Sequence, residues 1–206
     1  FAVAYRANRE TIFKEVDERG LIAQIADAKD DACKHMEELY AQFKEQAEKR
    51  GVHVHRAATA EEANAIIARI AKENNVKRVA KSKSMTAEEI QLNPYLEKEG
   101  LIVDETDLDE WILQLRHEGP SHMVMPAIHL SRYQVAEDFT RETGVKQDAE
   151  DIQRLVKVAR VQLRRKFIAA DMGISGCNFA IAENGAVSTV TNEGNARMVT
   201  TLPRVH

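Results

Sequence analysis

Apolar positions fall into three regimes along the chain. Over the N-terminal quarter, Ala32, Met36, Leu39 and Phe43 follow a 4-3-4 spacing. Ile22 and Ile25 extend the stripe upstream, and charged residues fill the other positions. A stripe that narrow predicts one long helix. It fits either a helix packed on the domain or an arm that contacts a second chain.

From about residue 52 the period changes. Val52-His53-Val54-His55, Val76 to Ala80, Leu101-Ile102-Val103 and Met123-Val124-Met125 read as short strands. Helical stripes separate them. Ala63, Ile66, Ile67 and Ile70 follow a capping box from Thr59 to Glu62. Ser84 or Thr86 caps the next helix, and Leu108, Trp111, Ile112 and Leu115 form one face of another. Ser131 to Gln134 repeats the capping signature for a helix that stops at Gly144, and Ile152, Leu155, Val156, Ala159 and Leu163 mark a long helix to about Ala170. Such alternation predicts a mostly parallel sheet with flanking helices. The third regime is Glu183-Asn184-Gly185 between apolar runs, a hairpin signal that calls for a type I′ turn. The hairpin is antiparallel, so the expected fold is α/β with a mixed, mostly parallel sheet. The expected organisation is a helical N-terminal arm over 1–50 and an α/β domain over 51–206.

Composition narrows the function. Two cysteines, Cys33 and Cys177, lack metal spacing and fit a reducing cytoplasm. A net charge of −4 gives no nucleic-acid footprint. No apolar run approaches the ~20 residues of a membrane span, and no signal peptide is visible. The chain starts at Phe1 without Met and stops in a strand-like run, so it is expected to be part of something longer.

Ligands of open α/β sheets bind outside the carboxyl ends of the strands. Lys81-Ser82-Lys83-Ser84 lies at such an end and suits a carboxylate or phosphate, or is a capped, solvated loop. It is not a Walker loop, since no glycines precede the lysine. Asp104-Glu105-Thr106-Asp107 is accounted for by helix capping, with Thr106 or Asp107 able to face a ligand. His129 follows the Met123–Met125 run and is a candidate by position. His53 and His55 share one face of an expected strand, but no third metal ligand is placed, so no metal is expected. Glu183 ends an apolar strand. Partial burial there would raise its pKa and suit acid–base or nucleophilic work; the bland account is a surface turn glutamate.

Several blocks occur in one order: Lys81-Ser82-Lys83-Ser84-Met85, Glu105-Thr106-Asp107-Leu108, Pro120-Ser121-His122, Pro126-Ala127-Ile128-His129, Asp171 to Gly176, Asn178 to Glu183, Asn192-Glu193-Gly194-Asn195 and Thr200 to His206. Together they resemble the lactate-utilisation protein B type of LUD domain over nearly the whole chain. The resemblance implies a fold similar to the sugar-isomerase/CoA-transferase superfamily and a subunit of a complex that oxidises L-lactate to pyruvate. Its implied partners are the other subunits of that complex and a small hydroxy or keto acid, with a homo-oligomer through the N-terminal helix as a further option. On that reading Lys81, Ser82, Lys83, Ser84, Thr106, His129, Asn184, Gly185, Asn192, Glu193, Gly194 and Asn195 line a substrate pocket together with Glu183, whose position at a strand end, and not the resemblance, makes it the catalytic candidate. The family type carries [4Fe–4S] clusters in a C-terminal ferredoxin-like region. Two isolated cysteines cannot ligate one, so no cofactor is expected on this chain itself. Glu183-Asn184-Gly185 also resembles the glutamate signature of CoA transferases, although Ala182 stands where that family has Ser. A transferase or isomerase using Glu183, or a non-catalytic scaffold, are the alternatives.

Overall fold

The computed structural model describes residues 2–191 and 193–206. The chain divides into two units, one of residues 1–54 with 180–186 and one of residues 55–179 with 187–206.

The first unit is helical: α1 (Ala2–Ile12), α2 (Glu18–Lys34) and α3 (Met36–Glu48). Asp17 caps α2 by accepting the Gly20 N–H at 3.0 Å. The expected single helix is interrupted at His35, whose backbone leaves helical geometry at φ −106°, ψ 20°. Its amide still donates to Asp31 O, and its carbonyl accepts from Leu39 N–H, so the stripe is offset there without being abolished. None of the α2 residues is buried, and Met36 is exposed.

The second unit is built on three parallel strands, β1 (Arg78–Lys81), β2 (Ile102–Glu105) and β3 (Met172–Ile174), in the order β2-β1-β3. Val205 adds a parallel bridge to Met172. Successive β1 residues face opposite sides. Val79 packs with Leu92, Leu96, Val103 and Met172 against α4 (Ala60–Glu73), α5 (Met85–Glu89) and α6 (Leu92–Lys98). Ala80 packs with Trp111, Phe139, Leu155 and Phe167 from α7 (Leu108–Arg116), α8 (Arg132–Thr143) and α9 (Ile152–Ala169). The expected parallel sheet with helices on both faces is therefore present. Thr59 Oγ1 accepts the Glu62 N–H as read, but Glu62 Oε2 accepts the Ala58 N–H in place of the Thr59 N–H; Ser131 with Gln134 forms a complete capping box, and that helix ends at Gly144 in the left-handed region.

Some expected strands are absent. Residues 52–55 are in no strand, so His53 and His55 do not alternate on a strand face. Met123–Met125 is a series of bends, because the His122 Nδ1 accepts the N–H groups of both Val124 and Met125 and coils the segment. β1 and β2 each run further than read, so Lys81, Asp104 and Glu105 are strand residues and not loop residues. The hairpin, β4 (Phe179–Ile181) and β5 (Ala186–Ser188), forms a separate two-stranded sheet. Its turn is not type I′: Gly185 has φ +68°, but Asn184 is not at positive φ. Asn184 instead accepts the Ala186 N–H on its own Oδ1 at 3.0 Å, a side-chain-closed turn. The last helix is α10 (Asn195–Thr201), and none of the described helices is long and apolar enough to cross a membrane.

Candidate functional site

The carboxyl ends of β1, β2 and β3 place two groups of polar side chains in the second unit. The first surrounds Lys81, whose side chain is fully buried. Its Nζ lies 2.9 Å from Glu105 Oε1, 3.1 Å from Glu88 Oε1 and 4.0 Å from Glu110 Oε2. Three elements converge on one ammonium: β2 supplies Glu105, α5 supplies Glu88 and α7 supplies Glu110. Burial alone would lower the Lys81 pKa, but Glu105 first, then Glu88 and Glu110, more than offset it and hold the ammonium above its ordinary value. Burial raises the Glu105 carboxyl despite the pull of Lys81. Burial, and next the negative charge of Glu105, push Glu110 up to about 7. One ammonium cannot neutralise three carboxylates, and the carboxylate farthest from it takes the proton most readily. Asn93 Nδ2 donates to Glu105 Oε1 at 2.5 Å, and Gln114 Oε1 accepts the Glu105 N–H. Lys81 is thus not a free cation of a solvated loop. Asp104, next along β2, is paired instead with Lys166 at 2.5 Å and Arg78 at 3.3 Å.

The second group follows the strand ends. Ser82 is buried and its N–H donates to Ile174 O, which ties the segment after β1 to β3. Its Oγ has no hydrogen-bond partner among the described residues. Lys83 is half-buried and donates to Val124 O at 2.8 Å. Ser84 caps α5 by accepting the Ala87 N–H, so its hydroxyl acts locally. Thr106 is buried and donates to Lys81 O at 2.7 Å, which closes the β1–β2 ends together. Asp107 caps α7, as read. Gly176, after β3, approaches so closely that an added Cβ would lie 3.2 Å from Lys83 O. Glu193 accepts the Leu108 N–H at 3.3 Å. Partial desolvation, then repulsion from Asp107, raise its pKa; the Leu108 N–H and Lys83 act the other way. Lys83 and Glu193 therefore belong to one electrostatic neighbourhood. Gly194 and Asn195 form the start of α10, where Gly194 is at φ +82° and Asn195 Oδ1 accepts the Ala196 N–H. Asn192 lies outside the described residues.

His129 sits in a third, exposed arrangement. Its Nδ1 is 2.7 Å from Ser121 Oγ and its Nε2 3.1 Å from Glu118 Oε2. Ser121 Oγ also donates to Pro126 O, a second acceptor for the same proton. The ring is thereby held in the loop that precedes α8.

The hairpin turn belongs to the first unit. Glu183 and Asn184 are exposed, so the partial burial expected for Glu183 is not found. Gly185 is buried, but its missing Cβ makes room for backbone and not for a ligand: a Cβ there would lie 2.3 Å from Ala47 N on α3. The glutamates around Lys81 were missed as a site because Glu105 was read as a capping residue and neither Glu88 nor Glu110 was singled out. The available signal was parity, since Lys81 falls on the sheet face of Val79 and Glu105 on that of Val103.

Cys33 and Cys177 are both exposed and lie in different units. Two thiolates do not fit the four-sulfur requirement of a [4Fe–4S] cluster.

The LUD-domain family model matches residues 40–206. Among curated proteins, the chain is 54% identical over 162 residues to Lactate utilization protein B of Oceanobacillus iheyensis, covering 79% of this chain and 34% of the relative. It is 52% identical over 164 residues to Lactate utilization protein B of Bacillus subtilis, with the same coverage of each. The chain thus spans about a third of the length of the curated relatives it matches. No solved structure matches it significantly.

Proposed function

Because the chain belongs to the LUD-domain family, we propose that it is the LUD domain of a lactate-utilisation iron–sulfur protein, one subunit of a complex that oxidises L-lactate to pyruvate. The observation that carries this reading is identity of about one half to proteins named Lactate utilization protein B, sustained over 79% of the chain. The geometry supports a binding role at the strand ends. Lys83 offers a cation to a carboxylate, the buried Ser82 hydroxyl has no partner among the described residues, and Glu193 lies near enough to Lys83 to feel its charge. A small hydroxy or keto acid presents the carboxylate and the oxygen that such a set would bind.

Oxidation of L-lactate breaks its carbinol C–H and O–H bonds, forms the pyruvate C=O and releases two electrons and two protons. Glu193, held above its ordinary carboxyl value, is suited to carry one of those protons. The [4Fe–4S] clusters belong, on this proposal, to the part of the relatives' length that this chain does not cover, since Cys33 and Cys177 do not fit one. Assembly with the other subunits of the complex is part of the same proposal. Glu183 is assigned no step, because it lies in the hairpin turn of the first unit and not among the strand-end groups of the second.

The test is lactate-dependent reduction of an acceptor dye by the full-length protein assembled with its partner subunits. One pyruvate formed per two electrons delivered is expected. An assembled complex that reduces no dye with L-lactate overturns the proposal.

A further inference from the structure

A cavity of about 250 Å³ opens between α5, α6 and α7, beside the Lys81 cluster and lined by Glu88, Asn93, Glu105 and Glu110. Lys81 takes one oxygen from Glu88 and one from Glu105. Three further acceptors on residues lining the cavity have no donor among the described residues: Asn93 Oδ1, Glu105 Oε2 and Glu110 Oε1, each a buried atom. The Glu105 and Glu110 side chains are only 5% and 6% exposed. Buried acceptors are ordinarily satisfied, and orphaned ones gathered around one cavity call for a common partner. That partner must donate or carry positive charge, because all three atoms are acceptors.

We infer that this cavity binds a hard divalent cation through Asn93 Oδ1, Glu105 Oε2 and Glu110 Oε1, with Glu88 completing the acidic wall. Ligand atoms of Glu88, Glu105 and Glu110 lie within 4.8 Å of one another, close enough to share one ion. The donors are all oxygen, which selects magnesium, manganese or calcium over the thiolate- and imidazole-seeking metals. Charge also sets the valence. With all three carboxylates ionised, as a bound cation requires, the one Lys81 ammonium leaves two negative charges, which a divalent ion neutralises and a single ammonium ligand does not. Lys81 draws on Glu88 Oε1 and Glu105 Oε1, which leaves Glu105 Oε2 and Glu110 Oε1 open to a cation.

The full chain, dialysed into metal-free buffer, is titrated with manganese chloride by isothermal titration calorimetry. One saturable site per chain is expected. Glu105→Gln and Glu110→Gln each weaken it by at least about tenfold, whereas the surface change Glu142→Gln leaves it unaltered. Circular dichroism melting accompanies each variant. Should the glutamine variants fail to fold, Asn93→Asp is decisive, because an added carboxylate at the same position tightens binding. Absence of a saturable site, equal affinity in the glutamine variants, or weaker binding in Asn93→Asp overturns the inference. Binding of methylammonium in place of manganese overturns it as well.

Discussion

Lys81 and Glu105 are register partners on adjacent parallel strands, and their side chains meet at 2.9 Å with almost no access to solvent. The pair joins β1 to β2 at the end of the sheet where the polar groups gather, and Glu88 and Glu110 add to its field. Removing one partner of a buried ion pair is more damaging than removing both, because the survivor keeps its desolvation cost without its counter-charge.

Lys81→Met therefore destabilises the second unit by about 3–5 kcal/mol. Adding Glu105→Gln to it recovers a substantial part of the loss. Urea unfolding midpoints of the single and double variants measure this; a single variant with the midpoint of the parent chain would contradict it.

Gly185 separates a packing role from a ligand role. A methyl group there meets the α3 backbone at Ala47 N and Gln46 C, at 2.3 and 2.6 Å, and the residue sits at φ +68°. Gly185→Ala is thus expected to detach the turn from α3, at about 1–3 kcal/mol. Hydrogen exchange at the Gly185 amide, which donates to Ile181 O at 2.8 Å, should speed up. Unchanged exchange together with impaired substrate binding would restore the ligand role.

The limits of what could be read from the residues follow from physics at particular positions. The caps at Thr59 and Ser131 were legible because they are local, each a side chain accepting an N–H within one turn, and at Ser131 the bond is reciprocated by Gln134. β3 was not read as a strand: three residues, Met172-Gly173-Ile174, carry too short a pattern, and its strand identity comes from pairing with β1. In the opposite sense, Met123–Met125 has strand-like composition, but the His122 ring captures its amides before any strand can. The position of Lys83 just after β1 was legible in the sequence, since it depends only on element order. The cluster around Lys81 was not, because a lysine in an apolar alternation declares its direction but not the three carboxylates that distant segments bring to it.

Asp171 makes stability depend on acid. Its Oδ2 accepts the N–H groups of Lys77 and Arg78 at 2.9 and 3.1 Å, and these bonds, then Arg204, hold its carboxyl below the ordinary value. The unfolded chain binds that proton first as pH falls. The contribution is therefore fully present above about pH 4 and is lost as pH drops through the lower folded value. Asp171→Asn removes the charge, so its unfolding midpoint should change less than that of the parent chain between about pH 5 and pH 2. Parallel pH profiles for the two proteins would exclude this linkage.

Lys83 is the residue through which the proposed substrate site can be tested apart from folding. It is half-buried, it donates to Val124 O, and its charge reaches the Glu193 carboxyl. A charge-assisted hydrogen bond to a carboxylate is worth about 1.5–3 kcal/mol, so Lys83→Met should raise the KM for L-lactate in the assembled complex by about tenfold or more. A fall in kcat smaller than the rise in KM marks loss of uniform binding and not of a transition-state contact. Lys83→Arg, which keeps the charge in a different geometry, should fall between the two. If Lys83→Met lowers the melting temperature yet leaves KM unchanged, the lysine acts on the Val124 loop and the carboxylate lies elsewhere.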